Sequence, residues 1–464
     1  MSLSRSTKIA LLVAATFFME NLDATIIATA LPDMARSFGV AAVDLNIAMS
    51  SYMLALAAFI PISGWLADRF GARRVFASAI VLFSLASLLC GLSGSLEMFL
   101  AARILQGLSG AMMVPVGRLA VLRATEKKDL VRTIGYITFP ALVAPILGPP
   151  LGGFIVTHAT WPWIFFVNLP LGLLAFIATF ALIPDHRAER QRPFDWLGFV
   201  LLGSTCVALL YGFELLGQNL AHFWPGALLC LAALVLGAWS FRHMRRHAHP
   251  LLNLGVLKIQ TFSVSFVGAS LFRIAISTLP FLLPLMFQLA FGLSPLTSGL
   301  LVVAVFAGNL AMKARTTWVI QRWGFRRVLL VNGAIGVAAL AACALLDADM
   351  QHWLIMLVLF IGGLSRSLQF TAYNTLGFAD VPQAQMSDAS TLFSMAFQLS
   401  MGMGIAVGAL LLRAAMALHG NPGQADTADF QLTFLFVALL AVLALYDSWQ
   451  LRPQAGAAVL HKAA

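Results

Sequence analysis

Charged residues are scarce in this chain, in which only 10% of 464 residues are Asp, Glu, Lys or Arg and 60% are hydrophobic. Soluble globular domains carry about 25% charged residues, so this composition excludes that class. Mean hydropathy is +0.89. Such a chain is typical of a polytopic membrane protein, because a helix needs about 20 mostly apolar residues to cross the hydrocarbon core.

The short alternating segments of a transmembrane β-barrel are lacking, since no ten-residue pieces alternate apolar with polar residues. Backbone polar groups in a bilayer must then be satisfied inside helices. The sequence therefore predicts an all-α polytopic membrane protein.

Only four cysteines occur, and none has a pairing pattern or a CxxC spacing. We expect free thiols that pack as small hydrophobic side chains. There is also no nucleotide loop, metal cluster or nucleophile elbow, so we expect neither an enzyme nor a cofactor, and energy must come from an ion gradient. His243, His247 and His249 could suggest a metal, but a basic solvated loop is the simpler explanation, and we expect no metal site.

The apolar segments number fourteen and fall into groups of six, two and six. They divide the chain into a first six-helix bundle (1–183), a linker with two additional helices (184–258), and a second six-helix bundle with a short tail (259–464). The segments lie near 8–31, 44–67, 74–94, 97–122, 131–156, 163–183, 196–216, 223–241, 262–289, 296–318, 328–346, 353–378, 389–418 and 430–449.

The chain has a formal charge of +10, and the positions of its basic residues follow the predicted membrane topology. Basic residues sit in short runs between apolar segments, near 69–74, 123–132, 187–192, 242–246 and 322–327, and not along one face, so we expect no nucleic-acid partner. With the N-terminus inside, all these runs become cytoplasmic, as the positive-inside rule requires. We therefore expect fourteen spans with both termini in the cytoplasm.

One polar turn recurs in the two bundles. The stretch 64–75 reads GWLADRFGARRV, and Trp, Arg, Gly, Arg, Arg and Val return at one constant offset in 318–328. In both places the turn joins two apolar segments. The chain therefore contains two related halves.

Five stretches carry a resemblance to a known family. They are 64–75, the RILQG of 103–107, the GPPLGG of 148–153, 23–32 and 161–170. With the fourteen segments, these stretches resemble the major facilitator superfamily, in its fourteen-helix drug:proton antiporter branch. The resemblance covers essentially the whole chain and implies two pseudo-symmetric bundles.

The 64–75 stretch resembles the superfamily's signature loop, which implies a conformational latch. Gly64 and Gly71 allow close approach and a tight turn, and Asp68 can cap a helix or pair across the interface between the halves. A merely solvated basic turn is the alternative for its arginines. The latch residues are Gly64, Asp68, Arg69, Gly71, Arg73 and Arg74.

A candidate proton site lies in the first half. Glu20 and Asp23 share a helix face at spacing i, i+3, where two carboxylates in a low-dielectric cavity favour binding of a proton by one of them. The resemblance implies proton coupling for Arg103. We predict Asp23 as the main proton-exchanging group, with Glu20 assisting and Arg103 as counter-ion; a permanent structural ion pair, or an Arg103 that only snorkels to the surface, is the alternative.

The 148–153 stretch resembles the fifth-helix antiporter motif, which implies an exporter that exchanges substrate for protons. Glycines allow close helix packing and prolines remove backbone donors, so a kinked, sealing helix is expected. The motif residues are Gly148, Pro149, Gly152 and Gly153.

Other polar residues inside apolar segments are candidates for a substrate cavity, because each is costly there without a partner or water. Structural pairing is the alternative. They are Gln106, Glu214, Arg273, Asn309, Arg366, Gln369 and Asn374, while Lys313 and Arg315 could snorkel.

The function expected from the resemblance is proton-coupled export of amphipathic organic compounds, cationic or neutral, across a bacterial inner membrane by alternating access. Export of a single metabolite or siderophore is a second reading, and a transport-inactive membrane sensor on the same fold is a third. Expected partners are a small-molecule substrate, protons and the lipid bilayer. We expect a monomer, with a periplasmic adaptor and an outer-membrane channel as further candidates.

Overall fold

The structure is a computed structural model and describes residues 4–40, 45–185, 192–218, 220–421 and 425–460. These residues form helices joined by short turns, with no strand among them. Thirteen of the helices in the described part are long and apolar enough to cross a membrane. Leu130–His158, a further helix of 29 residues, brings the number of long helices to fourteen. The prediction of an all-α, fourteen-helix fold is confirmed.

The first half contains six long helices. They are α1 (Arg5–Phe38), α2 (Ile47–Phe70), α3 (Ala72–Gly91), α4 (Leu96–Ala124), α5 (Leu130–His158) and α6 (Trp163–Leu182). Two more helices follow, α7 (Trp196–Gln218) and α8 (Phe223–Arg246).

The second half repeats the first. Its helices are α9 (Gln260–Ala290), α10 (Pro295–Trp323), α11 (Phe325–Leu345), α12 (His352–Ala379), α13 (Met386–Leu418) and α14 (Thr427–Trp449). The start of α1 and the end of α14 lie on one side of the bundle, here called the basal side.

Glycines and capping residues fix where several helices begin. Gly71 (φ 90°) separates α2 from α3, and Gly324 (φ 75°) separates α10 from α11, because a left-handed backbone costs glycine little. Ser95 caps α4 by accepting from the Met98 N–H, and Asp426 forms a capping box with Asp429 at α14. The two positive-φ glycines occupy equivalent places in the two copies of the repeated turn.

The two halves meet on the basal side and separate on the other. Buried apolar residues from both halves, including Phe76 of α3 and Phe262 of α9, form one continuous cluster at the basal side. On the opposite side the halves have separate clusters, around Phe99 in the first and Phe430 in the second. The structure is therefore closed between the halves at its basal side.

The additional pair packs beside this interface. Helix α7 contacts α8 along its length and also lies against α2 of the first half and α13 of the second. Arg413 of α13 donates to the carbonyl oxygens of Leu216 and Gly217 at the end of α7. All four cysteines are free thiols, as expected.

Candidate functional site

The first half holds a buried ion pair at its centre. Arg103 Nη1 of α4 lies 2.7 Å from Asp23 Oδ2 of α1, and each residue is 1% exposed. The other carboxylate oxygen accepts from Gln106 Nε2 at 3.0 Å and from Asn168 Nδ2 of α6 at 2.8 Å. Ser87 of α3 accepts from the same two amides. Residues of four helices, α1, α3, α4 and α6, thus form one hydrogen-bond network around the Asp23 carboxylate.

This network leaves the Asp23 carboxylate fully occupied. Both oxygens have partners, and Gln106 Oε1 accepts a second bond from Arg103 at 2.7 Å. Breaking such a buried pair by removing one partner leaves an uncompensated charge, at a typical cost of about 3–5 kcal/mol. A proton or substrate can therefore reach Asp23 only after Arg103 or one of the amides moves.

Glu20 lies one turn before Asp23 and has an open position. The Tyr52 hydroxyl of α2 donates to Glu20 Oε1 at 3.5 Å, and Oε2 has no hydrogen-bond partner among the described residues. The Arg103 guanidinium carbon lies 4.4 Å from the centre of the Tyr52 ring, within cation–π range. Tyr52 thus connects the two carboxylates that share the helix face. Sequence reasoning missed Tyr52, although a tyrosine in an apolar segment is rare in a chain with only five.

The predicted antiporter motif packs α5 against α1 beside this network. A Cβ atom at Gly148 would collide with the Thr25 side chain, and one at Gly152 would collide with Thr29 and the Ile26 carbonyl. Gly153 has open space around its Cβ position. The side chain of Pro149 lies outside the described part of the chain. Gly148 and Gly152 thus have a packing reason, and Gly153 has none in this conformation.

The latch glycine seals the two halves at the basal side. Ser387 Oγ of α13 donates to the Gly64 carbonyl at 3.0 Å, and a Cβ atom at Gly64 would collide with Ser387 and Thr391. Thr391 also bonds Ser63 at 3.2 Å. One turn further along α13, Ser390 donates to the Pro115 carbonyl at 2.8 Å. This row of small polar contacts joins α2 and α4 to α13.

Among the described residues Asp68 does not pair across the interface, which corrects that part of the latch prediction. Its carboxylate accepts from Arg123 Nη2 at 2.9 Å, and Arg123 belongs to α4 of the same half. The last turn of α2 faces the basal end of α4, so the nearest cation to Asp68 is local. The cross-interface contacts come from Gly64 and its neighbours.

Two of the remaining latch arginines, Arg73 and Arg74, also contact a residue of the first half. Arg73 and Arg74 lie 3.2 and 3.9 Å from Asp185 Oδ2, just beyond α6. Arg69 is exposed. These contacts tie the repeated turn to the end of α6, and Arg69 is consistent with the alternative of a solvated basic turn.

A carboxylate that sequence reasoning missed lies beside the seal. Asp388 at the start of α13 is 4% exposed, lies 3.6 Å from Arg192 Nη1 and accepts from the Asn253 N–H at 3.2 Å. Arg192 precedes α7 and Asn253 follows α8. Trp65 Nε1 of α2 donates to the Arg192 carbonyl at 3.0 Å. Both segments that flank the additional helix pair therefore meet at the basal seal.

The predicted cavity residues do not converge on one site. Gln106 belongs to the Asp23 network, and Glu214 of α7 accepts from Ser50 of α2. Gln369 is engaged inside the second half, where its oxygen accepts from Asn332 Nδ2 at 2.9 Å. Asn374 donates to the carbonyl of its own helix at Phe370.

Three of these candidates have unsatisfied polar atoms. Hydrogen-bond partners among the described residues are lacking for both polar side-chain atoms of Asn309, for all three guanidinium nitrogens of Arg273 and for Nε of Arg366. Arg366 and Gln369 line a cavity of about 40 Å³ between helices of the second half. Arg273 lies elsewhere, among three phenylalanine rings where the halves meet.

Two clusters bring histidines and carboxylates within metal-binding distance. They are Asp195 with His243 and His247, and His419 with Asp426 and Asp429. In the first, His243 Nε2 lies 2.9 Å from Asp195 Oδ1, and the N–H groups of Gly198 and Leu251 donate to the same carboxylate. Burial alone would raise the pKa of Asp195, but these hydrogen bonds outweigh it and hold the pKa below its usual value.

Fourteen long helices in two repeated halves, with a paired buried carboxylate and a seal between the halves, define a multi-pass membrane transporter. Profile comparison agrees, because the Major Facilitator Superfamily matches residues 13–405. The chain belongs to the major facilitator superfamily.

Relatives and solved structures extend this result. The chain is 37% identical over 438 residues to the "Putative multidrug resistance protein MdtD" of Pectobacterium carotovorum subsp. carotovorum, covering 94% of this chain and 93% of the relative. It is 38% identical over 441 residues to the protein of the same name from Klebsiella pneumoniae (strain 342), covering 94% and 92%. The proton:xylose symporter XylE is structurally similar, with a TM-score of 0.66, 13% identity and 96% coverage of each chain, which concerns the fold alone.

Proposed function

We propose that the protein exports amphipathic organic compounds in exchange for protons by alternating access. The observation that carries the proposal is the Asp23–Arg103 pair, in which a fully buried carboxylate holds one cation and two amides from two other helices, α4 and α6. An intramembrane carboxylate is costly and is typical of proton or substrate pathways.

The proton step follows from the unequal environments of the two carboxylates. Glu20 keeps one oxygen without a partner, whereas Asp23 is occupied by Arg103. Arg103 already contacts the Tyr52 ring. A proton that first binds Glu20 can pass to Asp23 when Arg103 moves away from Asp23 and stays on this ring. Asp23 is then neutral and Glu20 is ionised again, so Arg103 loses its pairing with Asp23. Loss of this pair removes a contact between α4 and α1 and shifts the equilibrium between the two states, while the proton gradient supplies the free energy of transport.

Alternating access needs a state that is closed on the basal side and a state that is open there. The seal between the halves stabilises the closed state. Serine and threonine contacts between α2, α4 and α13 are individually weak, at about 0.5–1.5 kcal/mol each, so they can break and reform in every cycle. Rocking of two repeated bundles about a central site is the general mechanism of such folds. We assign the basal side to the cytoplasm of a bacterial inner membrane, because the basic turns at Arg73, Arg74 and Arg123 lie there.

The two alternative readings differ in what they require. A dedicated exporter of one metabolite would keep the proton site but respond to one compound. A transport-inactive sensor would not need a carboxylate that can be released from its cation. The names of the two relatives favour the export of varied compounds, and the buried network favours transport over sensing.

Purified full-length protein in proteoliposomes with an imposed pH gradient tests the proposal. The compounds are dyes, quaternary ammonium compounds, aromatic carboxylates and metabolites, and the readout is dissipation of the gradient on addition of each. Proton movement with several unrelated compounds supports it. Movement with a single metabolite selects the dedicated exporter, and none with any compound selects the sensor.

A further inference from the structure

A positively charged site lies where the two halves meet, apart from the Asp23 network. Arg273 of α9 is 1% exposed, and none of its guanidinium nitrogens has a hydrogen-bond partner among the described residues. Its guanidinium carbon lies 4.6 Å from the ring centre of Phe393, 5.0 Å from Phe397 and 5.8 Å from Phe370. The arginine is therefore enclosed by aromatic faces and has no carboxylate partner among the residues that the structure describes.

A second arginine approaches from the first half. The Arg118 guanidinium carbon lies 5.2 Å from the centre of the same Phe393 ring, and this residue is 5% exposed. Arg118 Nη1 donates to Ser394 Oγ of α13 at 3.0 Å. Arg118 and Arg273, from opposite halves, thus share one phenylalanine and form a basic aromatic site between the bundles.

A lysine adds a third charge to the same interface. Lys313 Nζ of α10 donates to Thr138 Oγ1 of α5 at 2.9 Å and to Thr371 Oγ1 of α12 at 3.0 Å. Thr371 is the neighbour in sequence of Phe370, one of the rings around Arg273. Arg118 and Lys313 thus each donate to a neutral hydroxyl of the opposite half, whereas Arg273 has no hydrogen-bond partner among the described residues.

The described carboxylates do not neutralise these cations. Asp23 is paired with Arg103, Glu20 accepts from Tyr52, and Asp388 lies beside Arg192. The ion pairs of the described residues include none with Arg118, Arg273 or Lys313. Aromatic faces offset part of the cost of a buried guanidinium, but they leave its five donors unused.

We propose that this site binds organic anions that carry a carboxylate or sulfonate on an aromatic or other apolar body. The inference rests on the proposed transport function and names its substrate class, in place of the cationic or neutral compounds expected from the resemblance. A guanidinium binds a planar carboxylate through two parallel hydrogen bonds, and phenylalanine rings pack against the body of the ligand. An organic cation would meet two arginines.

Binding of an anion also connects the site to the seal. The anion competes with Ser394 for Arg118, and Ser394 lies one turn beyond the seal residue Ser390 on α13. A ligand between Arg118 and Arg273 therefore replaces a direct contact between the halves by a bridge through the ligand. This exchange gives the substrate differential affinity for the two states, as a transport cycle requires.

The charge of the substrate fixes the charge that moves in each cycle. With one proton entering per substrate exported, a monoanion moves two positive charges inward, whereas a monocation moves none. A membrane potential that is negative inside therefore drives export of anions more strongly than the pH gradient alone. Proteoliposomes with a potassium diffusion potential give this readout separately from binding.

The binding test uses three probes that share one aromatic body and differ in charge: 1-naphthoate, 1-naphthylmethanol and 1-naphthylmethylammonium. Titration calorimetry on the purified full-length protein in lipid nanodiscs should show binding of 1-naphthoate and at least tenfold weaker binding of the other two. Arg273→Gln should weaken 1-naphthoate about tenfold to one-hundredfold, because it removes a charged hydrogen-bond donor. Arg273→Lys should recover part of the loss.

Arg413→Gln is the matched control, since this arginine also lies on an interface helix but donates to the carbonyls of Leu216 and Gly217. It should leave 1-naphthoate binding unchanged. If Arg273→Gln does not fold, Phe397→Leu, which keeps the charge and removes one ring, should weaken 1-naphthoate severalfold.

The anion site is overturned if the ammonium probe binds as tightly as 1-naphthoate, or if Arg273→Gln folds and binds 1-naphthoate as the wild type does. Its failure is distinct from failure of proton exchange. Proton movement with cations alone upholds antiport and overturns the anion site. Arg273-dependent binding of 1-naphthoate without proton movement upholds the site and overturns antiport.

Discussion

Asp388 at the start of α13 lies 3.6 Å from Arg192, which precedes the additional helix pair, so one carboxylate joins the second half to the segment that leads into α7. The same carboxylate accepts from the Asn253 N–H beyond α8. The additional pair is thus attached to the basal seal at both of its ends. We therefore expect the segments that flank α7 and α8 to stabilise the closed basal side.

Asp388→Asn is expected to loosen the basal seal without unfolding the protein. The amide is nearly isosteric and can still accept from Asn253, but it loses the charge that attracts Arg192. Spin labels at the exposed positions Arg69 and Gln383, in a Cys230→Ser background, should show longer distances across the basal side. Arg192→Gln should give the same shift, and an unchanged distance distribution in both variants would contradict a clamping role.

Gly152→Ala is expected to disturb the packing of α5 on α1, because the added methyl group would collide with Thr29 and the Ile26 carbonyl. Overpacking of this kind typically costs about 1–3 kcal/mol. Thermal unfolding in detergent should show a lower Tm. Gly153→Ala is the control within the same motif, since its Cβ position is open and alanine is about 1 kcal/mol better than glycine in a helix. Equal effects at both positions would refute the packing explanation.

The Asp195 cluster predicts a defined pH dependence of stability. The pKa of Asp195 is lower in the folded protein than its usual value, so its ionised form stabilises the fold at neutral pH. This contribution is complete above the usual pKa of an aspartate, about 3.9, and disappears as the pH falls through the lower folded value. Asp195→Asn should therefore lower the Tm at pH 7, and the difference from wild type should shrink below about pH 4. A difference that is constant with pH would contradict this assignment.

Much of the fold could be predicted from the sequence because a membrane span is long and apolar, and its signal is strong over 20 residues. The pairing of Asp23 with Arg103 was also within reach, since both occur in motifs inside apolar segments. Their roles in proton exchange stay a prediction. The repeated turn predicted two related halves, and in each copy of the turn the structure has a positive-φ glycine between two helices.

The partners that sequence reasoning missed depend on how each helix is rotated. Asp68 faces Arg123 in place of the opposite half, and Gln369 bonds Asn332 beside a small cavity inside the second half. Hydropathy fixes a helix's position in the chain but fixes its rotation poorly when most residues are apolar. Arg118 had a signal, since an arginine inside an apolar segment is rarely idle, but its proximity to Arg273 requires the tertiary fold.

The most direct test of the proposed mechanism is proton-driven transport by Asp23→Asn in proteoliposomes. Wild-type protein should accumulate a transported compound against its gradient when a pH gradient is imposed. The variant is nearly isosteric but cannot carry a proton, and its NH2 group replaces an oxygen that accepts from Arg103 or from two amides, so folding is checked first by thermal unfolding. The folded variant should bind the compound and exchange it downhill while losing all gradient-driven accumulation. Accumulation by Asp23→Asn at the wild-type level, with the same pH dependence, would contradict the assignment and move the proton site to Glu20 or Glu214.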